Sequence, residues 1–345
     1  MNQPTHAWLA VNAYKILSAY ANTDNGKSLN IQPLIEILGN NLHHAVVGAW
    51  IPDALIKDMT YGHVFKNSAY TGNQTERFIL SFDDLKKKLP IQSHLAKSVL
   101  PLVDADFWTH PYRVKDNGGH LPARVNAMCQ TVRDMLKMST DDISEHSGSK
   151  VKGSSILNKS LLFTAEDIAI TMWTLSHYVA DAHMPHHCDN RKLASTSAAK
   201  KLHCEIEEAW GKQLPSVFMA SAISKGQKDT LLKAEMPSGS KFSSLDFGDK
   251  VSKLRNGGDP WIESVYICRS SFATFFAWVP ANFAPVDDQK IQFHLKELFQ
   301  NNICGEDSFW KISECIMHDA ANAIAMFWLD SWNDFTKATK KGDNV

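Results

Sequence analysis

Apolar residues recur at mixed three-and-four spacing along most of the chain, the periodicity of helices that turn one face to a core. In residues 6–22, Trp8, Leu9, Val11, Ala13, Ile16 and Leu17 keep this spacing, and the run ends in the polar cluster Asn22 to Gly26. The same pattern predicts helices over 30–48, 119–138, 164–183, 198–214, 259–287 and 307–337, with no alternating strand series between them. Two stretches read as loops. One is 139–163, rich in Ser, Gly and Lys; the other is 225–258, with Pro237, Ser238, Gly239 and the Asn256-Gly257-Gly258 turn. Neither separates halves of different composition, and no internal repeat is visible. The expectation is an all-α protein, one large multi-helix domain over 1–345 with long loops. The aromatic run Phe272 to Phe283 invites a membrane-contact reading, but helical core is the better one, because Trp and Phe fill helical interiors. Pro280 should kink or end that helix.

Composition narrows the picture. A chain of 345 residues can bury a large core, and 44% apolar with 21% charged residues excludes disorder. Lys and Arg total 36 against 37 Asp and Glu, a net charge of −1, so no basic excess points to nucleic acid. No run of 18 apolar residues occurs, so no membrane-spanning helix is expected. The opening MNQPTHAWLAVNAY has no basic segment, and Asn12 interrupts its apolar stretch. It does not read as a signal peptide: either the protein is not exported by that route, or the numbering begins at a mature or trimmed start. The six cysteines (129, 188, 204, 268, 304 and 315) form no Cys-x-x-Cys pair, which leaves a zinc ribbon and a thioredoxin-type motif unsupported. Buried thiols are expected, with Cys188 and Cys204 as bystanders to neighbouring histidines.

The unusual residues are 15 His and 10 Trp. A His followed four residues later by an acid should arise about 1.6 times by chance in this composition. It occurs twice, at His177/Asp181 and His203/Glu207, so the pairs alone carry nothing. The clustering carries more. His177, His183, His186 and His187 fall within eleven residues, where about 0.5 His is expected. Residues four apart share a helix face, so each His–acid pair can grip one ion. Pro185 cannot donate the bond that a continuing helix needs, so the chain should leave the helix near 183–185 and bring His187 toward the second pair. Imidazole and carboxylate without a cysteine-rich set suit zinc in a non-finger site. The competing reading makes His177 and His203 satisfied core histidines.

These residues also carry a resemblance. The segment HYVADAHMPHH resembles the signature of the zinc-dependent phospholipase C and single-strand nuclease superfamily. Its positions fall on His177, Asp181, Pro185 and His187, with His203 and Glu207 on the following helix. THAWLAVNAYKIL resembles the family's opening helix and supplies His6; AWIPDALIKDMTYGH resembles its Asp and His pair and supplies Asp53 and His63. The metal-site helices thus lie within 1–210. The resemblance implies the family's all-α fold and up to three zinc ions. One would be held by Asp53, His63, His177 and Asp181, and a second by His187, His203 and Glu207. The third would be held by the amine and carbonyl of Met1 with His6 and a bridging Asp181. It also implies that Asp53 orients or deprotonates the attacking water, and that the protein is secreted.

Some features depart from the family pattern. The family opens on Trp where this chain has Met1, Asp53 and His63 sit closer together than in the nuclease branch, and His183 and His186 are extra. Both extra histidines are expected in outer or surface positions. Glu207 and the THAW opening favour a phospholipase C acting on a phospholipid membrane surface or micelle. The Asp-x-His-x-Pro-x-His order favours the alternative, a nuclease for single-stranded nucleic acid. A non-catalytic metal-binding helical protein is a third reading. A fourth is a phosphohydrolase built on His318-Asp319, which lies in a long helix without nearby His partners.

Overall fold

The computed structural model describes residues 1–57, 62–65, 120–139, 162–189, 202–245, 247, 258–279, 295–300 and 304–342. Twelve α-helices are named below: α1 (Gln3–Ala21), α2 (Asp24–Ser28), α3 (Gln32–Asn40), α4 (Ala45–Gly48), α5 (Leu121–Lys137), α6 (Ala165–Ala182), α7 (Pro185–Cys188), α8 (Leu202–Gly211), α9 (Lys228–Leu232), α10 (Pro260–Trp278), α11 (Leu295–Gln300) and α12 (Glu306–Gly342). Among the described residues the nearest thing to a strand is an isolated bridge between Ser139 and Phe163. The all-α expectation holds. No described helix is long and apolar enough to cross a membrane.

α6 is the axis of the bundle. Thr164 and Asp167 form a capping box at its start: Thr164 Oγ1 accepts from the Asp167 amide (3.2 Å) and Asp167 Oδ2 from the Thr164 amide (2.9 Å). From Met172 to Ala182 every residue is buried, so the helix is covered on all sides and not on one stripe. α1, α4, α5 and α12 pack around it. Trp173 meets Trp328 edge to face at 5.1 Å, and the Trp328 indole donates to the Met172 carbonyl (2.9 Å). Gly48 touches the same tryptophan. A Cβ on Gly48 would lie 2.5 Å from Trp173 Cβ, so only glycine lets α4 approach α6 this closely.

Several boundaries differ from the sequence expectation for physical reasons. α1 begins at Gln3, earlier than residue 6, because the Asn2 side chain caps it and Pro4 suits its first turn. The predicted 30–48 helix breaks at Asn41, whose side chain bonds back to the Ile37 carbonyl (2.9 Å) while its backbone leaves helical geometry. The stretch 225–258 contains α9, anchored by buried Leu231. α2 and α11 were not anticipated. The predicted 259–287 helix runs as α10 to Trp278, and the aromatic run is core as far as it is described: Phe272, Phe275 and Trp278 are buried. Pro280, residues 198–201, the Asn256-Gly257 part of the turn and most of 139–163 lie outside the described residues. Of the cysteines, 129, 188, 268 and 304 are buried and 204 and 315 half-buried.

Candidate metal centre

His177 and Asp181 project from one face of α6, a turn apart and both buried. His177 Nδ1 donates to the Ala49 carbonyl at 2.7 Å, which leaves Nε2 as the lone-pair nitrogen facing inward. That carbonyl is in reach because Gly48 allows α4 to lie on Trp173. Beyond α4 the chain makes one turn of π-helix, Pro52–Ile56, and places Asp53 at the same end of α6. His63 arrives on the short segment 62–65, held by Phe65 N–H donating to the His187 carbonyl (3.1 Å) and Leu121 N–H to the Val64 carbonyl (3.2 Å). α6 ends at Ala182, Pro185 starts α7, and α7 delivers His187. α8 presents His203 and Glu207. Asn2 ties α1 to α8: its amide donates to the Glu207 carbonyl (2.8 Å), while its Oδ1 accepts from the Thr5 amide and hydroxyl. A Cβ on Gly211 would meet the Asn2 amide nitrogen at 2.5 Å, so a side chain there would push the Asn2 amide from its place.

All nine sequence-predicted ligands come together. Around Asp181 Oδ2, the contacts are His63 Nδ1 at 2.8 Å and His177 Nε2 at 3.3 Å, and these two nitrogens are 3.1 Å apart. Asp53 Oδ1 lies 3.4 Å from His63 Nδ1 and 3.6 Å from His177 Nε2. Four ligands at about 2.0 Å from a tetrahedral ion sit about 3.3 Å from one another, and these five spacings bracket that value. Asp181 Oδ1 serves a second group: the Met1 amine at 2.9 Å, His187 Nδ1 at 3.3 Å and His6 Nε2 at 3.5 Å. In a third, His203 Nε2 is 2.9 Å from His187 Nε2 and 2.5 Å from Glu207 Oε1, which also lies 2.9 Å from the Met1 amine. Asp181 joins the first two groups through its two oxygens.

The residues fit metal ions on their own chemistry. Neither nitrogen of buried His6 has a hydrogen-bond partner, nor does Asp53 Oδ1. Such groups buried without partners cost about 1–3 kcal/mol each, a cost that ligation removes. His6 stacks on His177 at 3.7 Å, and burial together with His177 and the Met1 ammonium holds its pKa well below the ordinary range. It is therefore a neutral imidazole, the form that ligates. Burial raises the Asp53 carboxyl, with Asp181 adding to the effect and His177 opposing it. Burial should also raise Asp181 and Glu207, but the Met1 ammonium overrides it in both. With His187, His177 and His6 it holds Asp181 well below the carboxylate range; with His203 it brings Glu207 to about 2. Burial opposes the charge on Met1, yet these two carboxylates lift its ammonium from 8.0 to about 11. Carboxylates and imidazoles converge here, so the described residues include buried groups able to hold metal ions.

The extra histidines belong to none of these ligand groups, and His183 is buried, not at the surface. His183 Nδ1 donates to the Val179 carbonyl at 2.8 Å, and His186 stacks on His203 at 5.0 Å. His318 stacks on Phe247 and bonds to Asn322, away from the metal groups. Sequence reasoning missed the Ala49 carbonyl, Asn2, and two aromatic walls. Trp50 lies 5.9 Å from His6 and 6.0 Å from His177; Tyr178 stands edge-on to His63 (5.3 Å) and His177 (5.6 Å), with the Arg124 guanidinium over its face. Their only sequence signal is position, since Tyr178 adjoins His177 and Trp50 precedes Asp53 by one helical turn. Comparison of this chain with protein-family models, curated proteins and solved structures finds no match.

Proposed function

We propose that the protein is a zinc-dependent phosphodiester hydrolase, and specifically a phospholipase C releasing diacylglycerol and a phosphorylated headgroup. The observation that carries this reading is the close convergence of Asp53, His63, His177 and Asp181, at spacings of 2.8–3.6 Å, beside a second ligand group reached through Asp181 and a third that meets the second at Met1 and His187. Asp53, His63, His177 and Asp181 would hold one ion, His187, His203 and Glu207 a second, and Met1, His6 and Asp181 a third. Zinc bound there supplies Lewis acidity toward phosphate oxygens and lowers the pKa of coordinated water. Asp53 orients the attacking water and accepts its proton; the burial that raises its pKa makes it a stronger base than an exposed aspartate. His177 is held in register by the Ala49 carbonyl, and His6 stacks on its ring. The phospholipid branch is favoured by the net charge of −1, which gives no surface for a nucleic-acid backbone, and by Glu207.

The test is a metal count on the purified chain, followed by parallel assays on phosphatidylcholine micelles and single-stranded DNA. The expected result is bound zinc, zinc-dependent phosphocholine release and poor DNA cleavage. Rapid zinc-dependent cutting of single-stranded DNA with inert lipid selects the nuclease branch. A chain that takes up no zinc overturns the reading.

A further inference from the structure

The most exposed large apolar side chain among the described residues is Leu55, 72% exposed, and its neighbour Ile56 is 46% exposed. Single exposed aliphatics are ordinary surface features. Here Ala54, Leu55 and Ile56 are all exposed in succession, and exposed Lys57 follows. Val47, 40% exposed, sits on the short helix that leads into this turn. The Lys57 amide donates to the Pro52 carbonyl (2.7 Å), and Lys57 takes the left-handed conformation (φ 56°, ψ 33°) that closes the turn. The apolar knuckle therefore projects from a closed turn.

Its place matters because the same turn carries Asp53, whose Oδ1 faces His63 and His177. Leu55 and Ile56 stand two and three residues beyond a candidate ligand. A phospholipid phosphodiester lies at the base of the headgroup layer, where acyl chains begin, so a site that cleaves it must sit against that layer. Aliphatic side chains followed by a lysine match the layer's order: hydrocarbon inside, phosphate outside, with the lysine stem able to reach back to the phosphates. The net charge of −1 supplies no general attraction to acidic lipids, so the fitting surface is zwitterionic.

We propose that the knuckle Ala54–Ile56, with Lys57 at its end, is an interfacial anchor that seats the metal centre on a zwitterionic phospholipid surface. The inference rests on the phospholipase reading for its choice of partner. The test compares the full chain with Leu55→Ser/Ile56→Ser in sedimentation with sucrose-loaded phosphatidylcholine vesicles, and in hydrolysis of water-soluble bis(4-nitrophenyl) phosphate. The double variant should lose roughly tenfold or more in vesicle partition. Its melting temperature should hold, and its rate on the soluble diester should stay within about twofold. Met138→Ser, a 40% exposed methionine just past the far end of α5, should leave partition unchanged. Equal partition of the double variant and the unaltered chain, or no partition by either, overturns the proposal. A selective loss of partition with no diester hydrolysis by any form supports the anchor while the phosphodiesterase reading fails.

Discussion

At the residue scale, Asp53 differs from the other candidate ligands. Its carboxylate is 11% exposed, whereas His177 and Asp181 are sealed, and burial raises its pKa where the pull of the Met1 ammonium depresses that of Asp181. It suits proton transfer, while Asp181, a permanent anion with both oxygens committed, suits holding cations. Asp53→Asn keeps the shape and one acceptor oxygen but cannot take a proton. Turnover of the soluble diester should fall by roughly 10²–10⁴-fold while most of the zinc remains, as metal analysis of the variant would read. His177→Ala removes a ligand, the bond to Ala49 and the stack on His6 together, and should lose metal and melt earlier. Near-normal turnover in Asp53→Asn would remove it from the chemistry.

At the scale of elements, the contact between α4 and α6 sets the position of His177 and, through the turn that follows, of Asp53. Gly48→Ala forces a Cβ to within 2.5 Å of Trp173 Cβ, the fixed root of a buried side chain and not its flexible end. Relief requires α4 to move, at a cost of about 1–3 kcal/mol, and the Ala49 carbonyl moves with it. Loss of an outer-shell partner of this kind costs about 10–100-fold in metal affinity. Both the melting temperature and zinc retention against a chelator should drop. Gly226→Ala, with nothing within 4 Å of the added Cβ, should change neither. Retention of full zinc affinity by Gly48→Ala would show that the contact does not position the ligands. The elements also mark what the sequence could reveal. His177/Asp181 and His203/Glu207 were legible because four-residue spacing fixes a shared face, and the turn at Pro185 because proline ends the ladder. The break at Asn41 was not, since a side chain that bonds its own backbone leaves the hydrophobic period intact. Short α2 and α11 lack the length for a periodic pattern to show.

At the scale of the whole molecule, the centre is drawn from four separated stretches of chain, and their meeting is a tertiary fact. Nothing local in the sequence says that His6 stacks on His177, or that Asn2 bonds the Glu207 carbonyl; only the family resemblance brought the four stretches into one site. The Met1 amine is the most telling member, fully buried between Asp181 and Glu207. Residues added before Met1 turn that amine into an amide, which neither carries charge nor ligates, and they must find a path out of a buried position. Such an extension should cost about one zinc per chain and most of the hydrolysis, whereas the same tag placed after Val345 serves as the control. The metal-free forms give a second readout. The carboxylates raise the Met1 ammonium from 8.0 to about 11 against the opposition of burial. A raised folded-state pKa stabilises fully below the unfolded value near 8 and loses that effect as pH climbs through about 11. The extended chain has no such group. Its melting temperature after chelation should therefore fall below the control's at pH 7, and the gap should narrow between pH 8 and 11. Equal zinc content and equal melting curves in the two forms would remove residue 1 from the centre and leave at most two ions.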